Sequence, residues 1–158
     1  MADTERTEPG AAKRTPLVPR DGLVLRRRSS MPVVMSYLLV AIGGGIGAAL
    51  RHGVNRVALA LFSSAFPYGT LVVNLLGAFL MGMVAQYLLG RDIHTEGWRL
   101  FLVTGVLGGF TTFSAFTLEV GMMWQRSEYG ALCIYMTASV LLSVLLLFAG
   151  MLAARAIT

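Results

Sequence analysis

The sequence predicts an all-α integral membrane protein with four transmembrane helices per subunit. Three observations carry that prediction. The 158 residues are 56% hydrophobic and only 13% charged, where a soluble domain usually carries about 25% charged residues. Four apolar segments each meet or approach the ~20 residues a helix needs to cross the hydrocarbon layer. Trp98, Trp124 and Tyr129 stand at the ends of those segments, where amphipathic rings settle at the membrane interface.

Residues 1–30 precede the first segment. Seven of the thirteen basic residues (Arg6, Lys13, Arg14, Arg20, Arg26, Arg27, Arg28) and four of the eight acids lie there, without apolar periodicity. This part is expected to be a disordered basic tail, with 31–158 forming the four-helix membrane domain. A Pro-, Thr- and Arg-rich tail without aromatics points to anionic lipid headgroups, not to nucleic acid.

The first span runs from Val33 to Leu50 and contains "GGGIG". Gly43 and Gly47 form a GxxxG pair and Gly44–Ala48 repeats the spacing. Small residues let helix backbones approach closely in lipid, where packing drives association. Arg51 follows. "VALALF" at 57–62 is too short to span and reads as a short interface helix.

The second span, Gly69 to Leu89, carries Asn74 near its middle and the small pair Ala78–Gly82. An amide at membrane depth offers two donors and an acceptor. It serves either as an interhelical hydrogen bond that glues the bundle or as a donor facing an anion.

The third span, Trp98 to Met123, contains "GGFTTFSAFTLE" at 108–119. Phe110, Phe113 and Phe116 recur every third residue, with Thr111, Ser114 and Thr117 one step behind. Glycines break helices, hydroxyls re-satisfy the freed backbone, and such breaks occur where backbone lines a cavity. The third helix is therefore expected to be broken here, and unwound carbonyls are ready ligands for a small hard cation. The phenylalanines serve as core packing or present their electropositive ring edges to an anion. Glu119 is the only acid within the span. Gly105–Gly109 is a further packing pair.

The fourth span, Tyr129 to Ala154, places Tyr135, Ser139 and Ser143 four residues apart on one helical face. Lone hydroxyls in membrane helices usually bond back to the carbonyl a turn earlier; a ladder of three exceeds that requirement. Cys133 reads as a small core residue.

With the N-terminus inside, one membrane face holds Arg91, Arg99 and Arg155 and the other Arg51, Arg56 and Arg126. That balance gives almost no positive-inside bias, as suits a body that inserts both ways and pairs with its inverted copy. The basic tail pulls toward N-inside. The sequence holds no HExxH, no CxxC, no Walker loop and no Ser/His/Asp set, and His52 and His94 lack partner ligands, so an enzyme is not expected.

Three motifs, "GGGIGAALR" (43–51), "GTLVVNLLGAF" (69–79) and "TGVLGGFTTFSAF" (104–116), fall in order in three successive spans. They resemble the Fluc fluoride channels, also called CrcB proteins, and the likeness covers residues 35–154. The resemblance implies a fluoride-selective channel that passively exports cytoplasmic fluoride across the bacterial plasma membrane. It implies an antiparallel dual-topology dimer with a structural sodium ion at its centre, held by backbone carbonyls of Gly108 and Thr111. Phe113 and Phe116 would line the pores, with Asn74 and the track Tyr135, Ser139 and Ser143. Thr70, Ser114 and Glu119 match further positions near the pathway, and Arg51 matches the basic residue after the first-helix glycines. Leu147 stands where the track can continue with a hydroxyl. The basic tail departs from a minimal dual-topology member and leaves open a heterodimer with an oppositely oriented homologue.

The rival reading is a small dual-topology multidrug exporter. Proton-coupled exporters of that kind need a carboxylate in the first span, and "VVMSYLLVAIGGGIGAAL" has none. A membrane scaffold held by GxxxG contacts would leave Asn74 and the hydroxyl ladder without a purpose.

Overall fold

The computed structural model describes residues 31–62, 64–89 and 96–157. The expected tail over 1–30, together with Arg91 and His94 of the second connection, lies outside them. Four helical segments are long and apolar enough to cross a membrane, over Val33–Leu61, Tyr68–Leu88, Glu96–Gln125 and Tyr129–Ile157. This is a multi-pass membrane protein.

Helix α1 (Val33–Leu61) is continuous over 29 residues. At 1.5 Å per residue it is about 43 Å long, well beyond the ~30 Å hydrocarbon core. The separate interface helix expected at 57–62 is therefore not formed: "VALAL" is the last turn and a half of α1. Nothing between Arg51 and Arg56 breaks the helix, because Gly53 alone costs about 1 kcal/mol and no proline intervenes. The chain turns out only at Phe62, in extended conformation (φ −124°, ψ 161°).

Helix α2 (Tyr68–Leu89) starts after Pro67. The next span opens with one turn, α3 (Glu96–Trp98), continues as a π-helical stretch over Arg99–Leu107, and returns to α-geometry in α4 (Gly108–Phe110). Thr111 (φ −76°, ψ 157°) and Thr112 (φ −152°, ψ 119°) are extended. Helix α5 (Phe113–Gln125) follows, then a tight turn in which Ser127 has φ 59°, then α6 (Tyr129–Ile157). Arg126 ties the turn together, pairing with Glu128 at 3.1 Å and donating to the Ala65 carbonyl at 3.4 Å.

Two backbone-to-backbone seams set the packing. A side-chain carbon at Gly43 would lie 3.0 Å from Gly105 Cα, and one at Gly47 would strike the Val106 carbonyl. One at Gly109 would lie 2.9 Å from Gly44 Cα. The small residues of α1 and the third span thus face each other within one subunit. A reciprocal seam joins α2 to α6, where Gly82 lies against the Leu147 carbonyl and Gly150 against the Phe79 carbonyl.

Phe116, Met123, Leu132 and Tyr135 form the buried cluster between α5 and α6. Long apolar side chains such as Leu145, Phe148 and Leu152 point outward, the arrangement expected where lipid is the solvent. Cys133 is exposed on the outer face of α6, so the core position expected for it is not found: the inward face of that turn belongs to Leu132 and Tyr135.

Candidate functional site

Thr111 and Thr112 determine the local geometry. Extended residues inside an apolar bundle must find partners for their backbone groups. Thr111 does so backward: its N–H and its hydroxyl both donate to the Leu107 carbonyl at 3.0 Å. Thr112 does so sideways. Its N–H donates to Asn74 Oδ1 at 2.9 Å and its carbonyl accepts from Asn74 Nδ2 at 3.1 Å. Asn74 thus forms the interhelical bond, which uses one of its two amide hydrogens and leaves the other for a further acceptor.

Thr112 also caps α5. Its hydroxyl accepts from the Ala115 N–H at 3.1 Å and lies 3.2 Å from Ser114 Oγ. An N-cap of this kind contributes about 1 kcal/mol. Gly77 makes the seat for this link, since a Cβ there would collide with the Thr111 methyl.

Beside the link lies a cavity of about 450 Å³, lined by Asn74, Thr111, Thr112, Phe113, Phe116, Ser139 and Ser143, with Leu147 at its wall. Ser139 and Ser143 present buried hydroxyls with no hydrogen bond of good geometry, although Ser139 lies near the Tyr135 hydroxyl. The Phe113 and Phe116 rings are 5.5 Å apart, yet they differ in setting. Phe116 is 7% exposed, while Phe113 is 74% exposed at the cavity's outer side.

A second cavity of about 340 Å³ lies toward the α5–α6 turn, lined by Asn55, Phe66, Thr70, Glu119 and Arg126 among others. Glu119 accepts from Thr70 Oγ1 at 2.7 Å and from the Tyr135 hydroxyl at 2.6 Å. Tyr135, fully buried, stands between the cavities: its ring packs on Phe116 at 5.3 Å on one side and edge-on against Phe66 at 5.6 Å on the other.

The structure thus gathers Asn74, Thr111, Phe113, Phe116, Ser139 and Ser143 around one space, and Thr70, Glu119 and Tyr135 at the partition. Ser114 adjoins through Thr112. Gly108 is exposed one turn before the link, outside both cavity walls. Arg51 is half-buried on α1 and lines neither cavity, and Gly43 and Gly47 serve the α1 seam. Sequence reading missed Asn55, Phe66 and Gly77. Thr112 is expected from sequence only as one of the hydroxyls, with Thr111 and Ser114, that re-satisfy freed backbone, and the structure has it accept from the Ala115 N–H. Among the described residues no three His, Cys, Asp or Glu side chains cluster as metal ligands, so a cation here would depend on backbone oxygens.

Comparison with known proteins places this geometry in context. The family model described as "CrcB-like protein, Camphor Resistance (CrcB)" matches residues 38–151. A protein of Nitrobacter hamburgensis named fluoride-specific ion channel FluC 2 is 47% identical over 124 residues, covering 78% of this chain and all of the relative. Fluoride-specific ion channels FluC of Caulobacter sp. (51% over 121 residues, 76% of this chain and 94% of the relative) and Rhizobium etli (48% over 124 residues, 78% and 99%) are similarly close.

Proposed function

The chain belongs to the CrcB family, and from that premise we infer that it is a fluoride-specific channel of the cell membrane, passing the ion passively and catalysing no reaction. The observation that carries this reading is the pair of buried, unpartnered hydroxyls of Ser139 and Ser143 in a cavity whose other walls are apolar apart from Asn74, Thr111 and Thr112. Leaving such groups unpaired costs about 1–3 kcal/mol each, a loss that a passing hydrogen-bond acceptor offsets.

Fluoride is small and holds its water tightly, so a pore must supply donors in place of hydration. In this reading the free Asn74 amide hydrogen, Ser139 and Ser143 are those donors. The edges of Phe113 and Phe116 narrow the space against larger anions, and Ser114 lies beside them. Thr70 and Tyr135 already give their hydrogens to Glu119, so they orient that carboxylate and close the partition. Leu147 ends the polar track. An inside-negative potential favours anion exit by about 2.3 kcal/mol per 100 mV, which suffices for export without coupling.

The extended link is read as a break within one membrane-spanning helix. The carbonyls of Gly108 and Thr111 would hold a sodium ion, a hard cation suited to backbone oxygens, which would offset negative charge at the membrane midplane. An antiparallel dimer, of identical chains or with an oppositely oriented homologue, is the assembly this reading adopts, with Arg51 beside the α1 glycines.

Proteoliposomes loaded with fluoride test it. Rapid fluoride efflux and little chloride efflux are expected. Vesicles no leakier than protein-free ones, alongside an active FluC control, would sink the reading. Terminus accessibility in native membranes tests the assembly: mixed orientation fits identical chains, a single orientation requires a second subunit.

A further inference from the structure

An exchange of hydrogen bonds at the link accounts for the two carbonyls to which the sodium reading assigns the cation. In an unbroken α-helix each N–H bonds the carbonyl four residues earlier. On that pattern the Thr112 N–H belongs to Gly108 and the Ala115 N–H to Thr111. Both donors are spent elsewhere. The first goes to Asn74 Oδ1 at 2.9 Å and the second to Thr112 Oγ1 at 3.1 Å.

We propose that Asn74 and Thr112 are positioning residues for a cation site: by withdrawing these two donors they leave the carbonyls of Gly108 and Thr111 open to a hard monovalent cation. The two act as one unit. Asn74 grips the Thr112 peptide on both sides, which holds the Thr112 side chain where it caps α5. Carbonyls stripped of their donors in a membrane are costly unless something else satisfies them, and a cation does so. Thr112 is itself buried, 6% exposed, so water does not compete for the hydroxyl that holds the Ala115 N–H. This proposal rests on the sodium reading above.

Thr112→Val keeps the side chain's size and removes the oxygen that holds Ala115; Thr112→Ser keeps that oxygen. The full-length chain is purified and its thermal unfolding followed across a sodium titration, with N-methylglucamine as the replacement cation. Fluoride efflux is measured on the same preparation. Groups that orient metal ligands are typically worth about 10–100-fold in affinity. Thr112→Val should therefore raise the half-stabilising sodium concentration about tenfold or more, while Thr112→Ser stays near wild type. A Thr112→Val protein with wild-type sodium dependence overturns the proposal. So does a wild-type protein that sodium does not stabilise; persisting fluoride efflux would then leave the channel reading standing. Amide exchange on the wild-type protein gives a check that no variant's folding can obscure. The Thr112 amide should be protected despite its extended backbone, and exchange at the rate of an unbonded amide overturns the proposal as well.

Discussion

Tyr135 donates its phenolic hydrogen to Glu119 Oε2 at 2.6 Å, joining α6 to α5 between the two cavities. Thr70 of α2 bonds the other carboxylate oxygen at 2.7 Å. One carboxylate thus pins three helices through hydrogen bonds, with no cationic partner among the described residues. Hydrogen bonds to a charged group are worth about 1.5–3 kcal/mol each.

Tyr135→Phe removes one of these bonds and should lower unfolding stability by about 1.5–3 kcal/mol. Glu119→Ala strips the acceptor from two buried hydroxyls at once and should cost more than Tyr135→Phe does. Thermal or denaturant unfolding in detergent measures both. A Glu119→Ala protein as stable as the parent would mean the carboxylate is not the hub drawn here.

Ser139 and Ser143 predict the opposite pairing of effects. Their hydroxyls are buried and unpartnered, so Ser139→Ala and Ser143→Ala remove an unsatisfied group and should leave stability unchanged or raise it, by up to about 3 kcal/mol. Fluoride flux should nonetheless fall about tenfold for each, the equivalent of one lost donor at about 1.4 kcal/mol. If flux and stability fell together, the serines would be packing residues only.

How much of this was legible in the sequence depends on the range of the interaction. The four spans could be read because the bilayer imposes length and apolarity on any helix that crosses it. The α1 glycines could be read as packing residues because small-residue spacing lies within one helix. Their mates could not: nothing in Ala78–Gly82 identifies Gly150 as the glycine that α2 approaches. "VALALF" was misassigned because hydropathy ends at the membrane while a helix does not. Glu119 went unexplained because its partners lie 49 and 16 residues away. In "TTFS" the two threonines look alike, and only the direction of the backbone separates Thr111, bonded back to Leu107, from Thr112, clamped by Asn74.

Phe113 and Phe116, three residues apart, should behave differently when truncated. Phe116 is buried against Tyr135, so Phe116→Ala should cost about 3–5 kcal/mol, the usual range for a core aromatic. Phe113 projects outward from the subunit, and Phe113→Ala should cost the subunit fold under about 1 kcal/mol, in line with surface positions, while still impairing fluoride selectivity. Unfolding curves and fluoride-to-chloride flux ratios for the two variants read these effects independently. Equal destabilisation by both would contradict the difference in burial.

Glycine substitutions test the seams on which the whole arrangement hangs. Alanine is favoured over glycine in a helix by about 1 kcal/mol, so Gly→Ala stabilises wherever there is room. Gly53 has nothing within 4 Å of an added Cβ, and Gly53→Ala should gain up to that amount. At Gly150 the Cβ would meet the Phe79 carbonyl, which is backbone and cannot rotate aside. Overpacking of this kind costs about 1–3 kcal/mol, enough to exceed the propensity gain, so Gly150→Ala should destabilise by forcing α6 away from α2. That displacement also carries Ser143 and Ser139 away from Asn74, so flux should fall with stability. Gly82→Ala should repeat the effect from the other helix, and the double variant should cost less than the sum, because the first substitution has already parted the helices. Full additivity would mean that the two glycines pack independently and that no single seam joins α2 to α6.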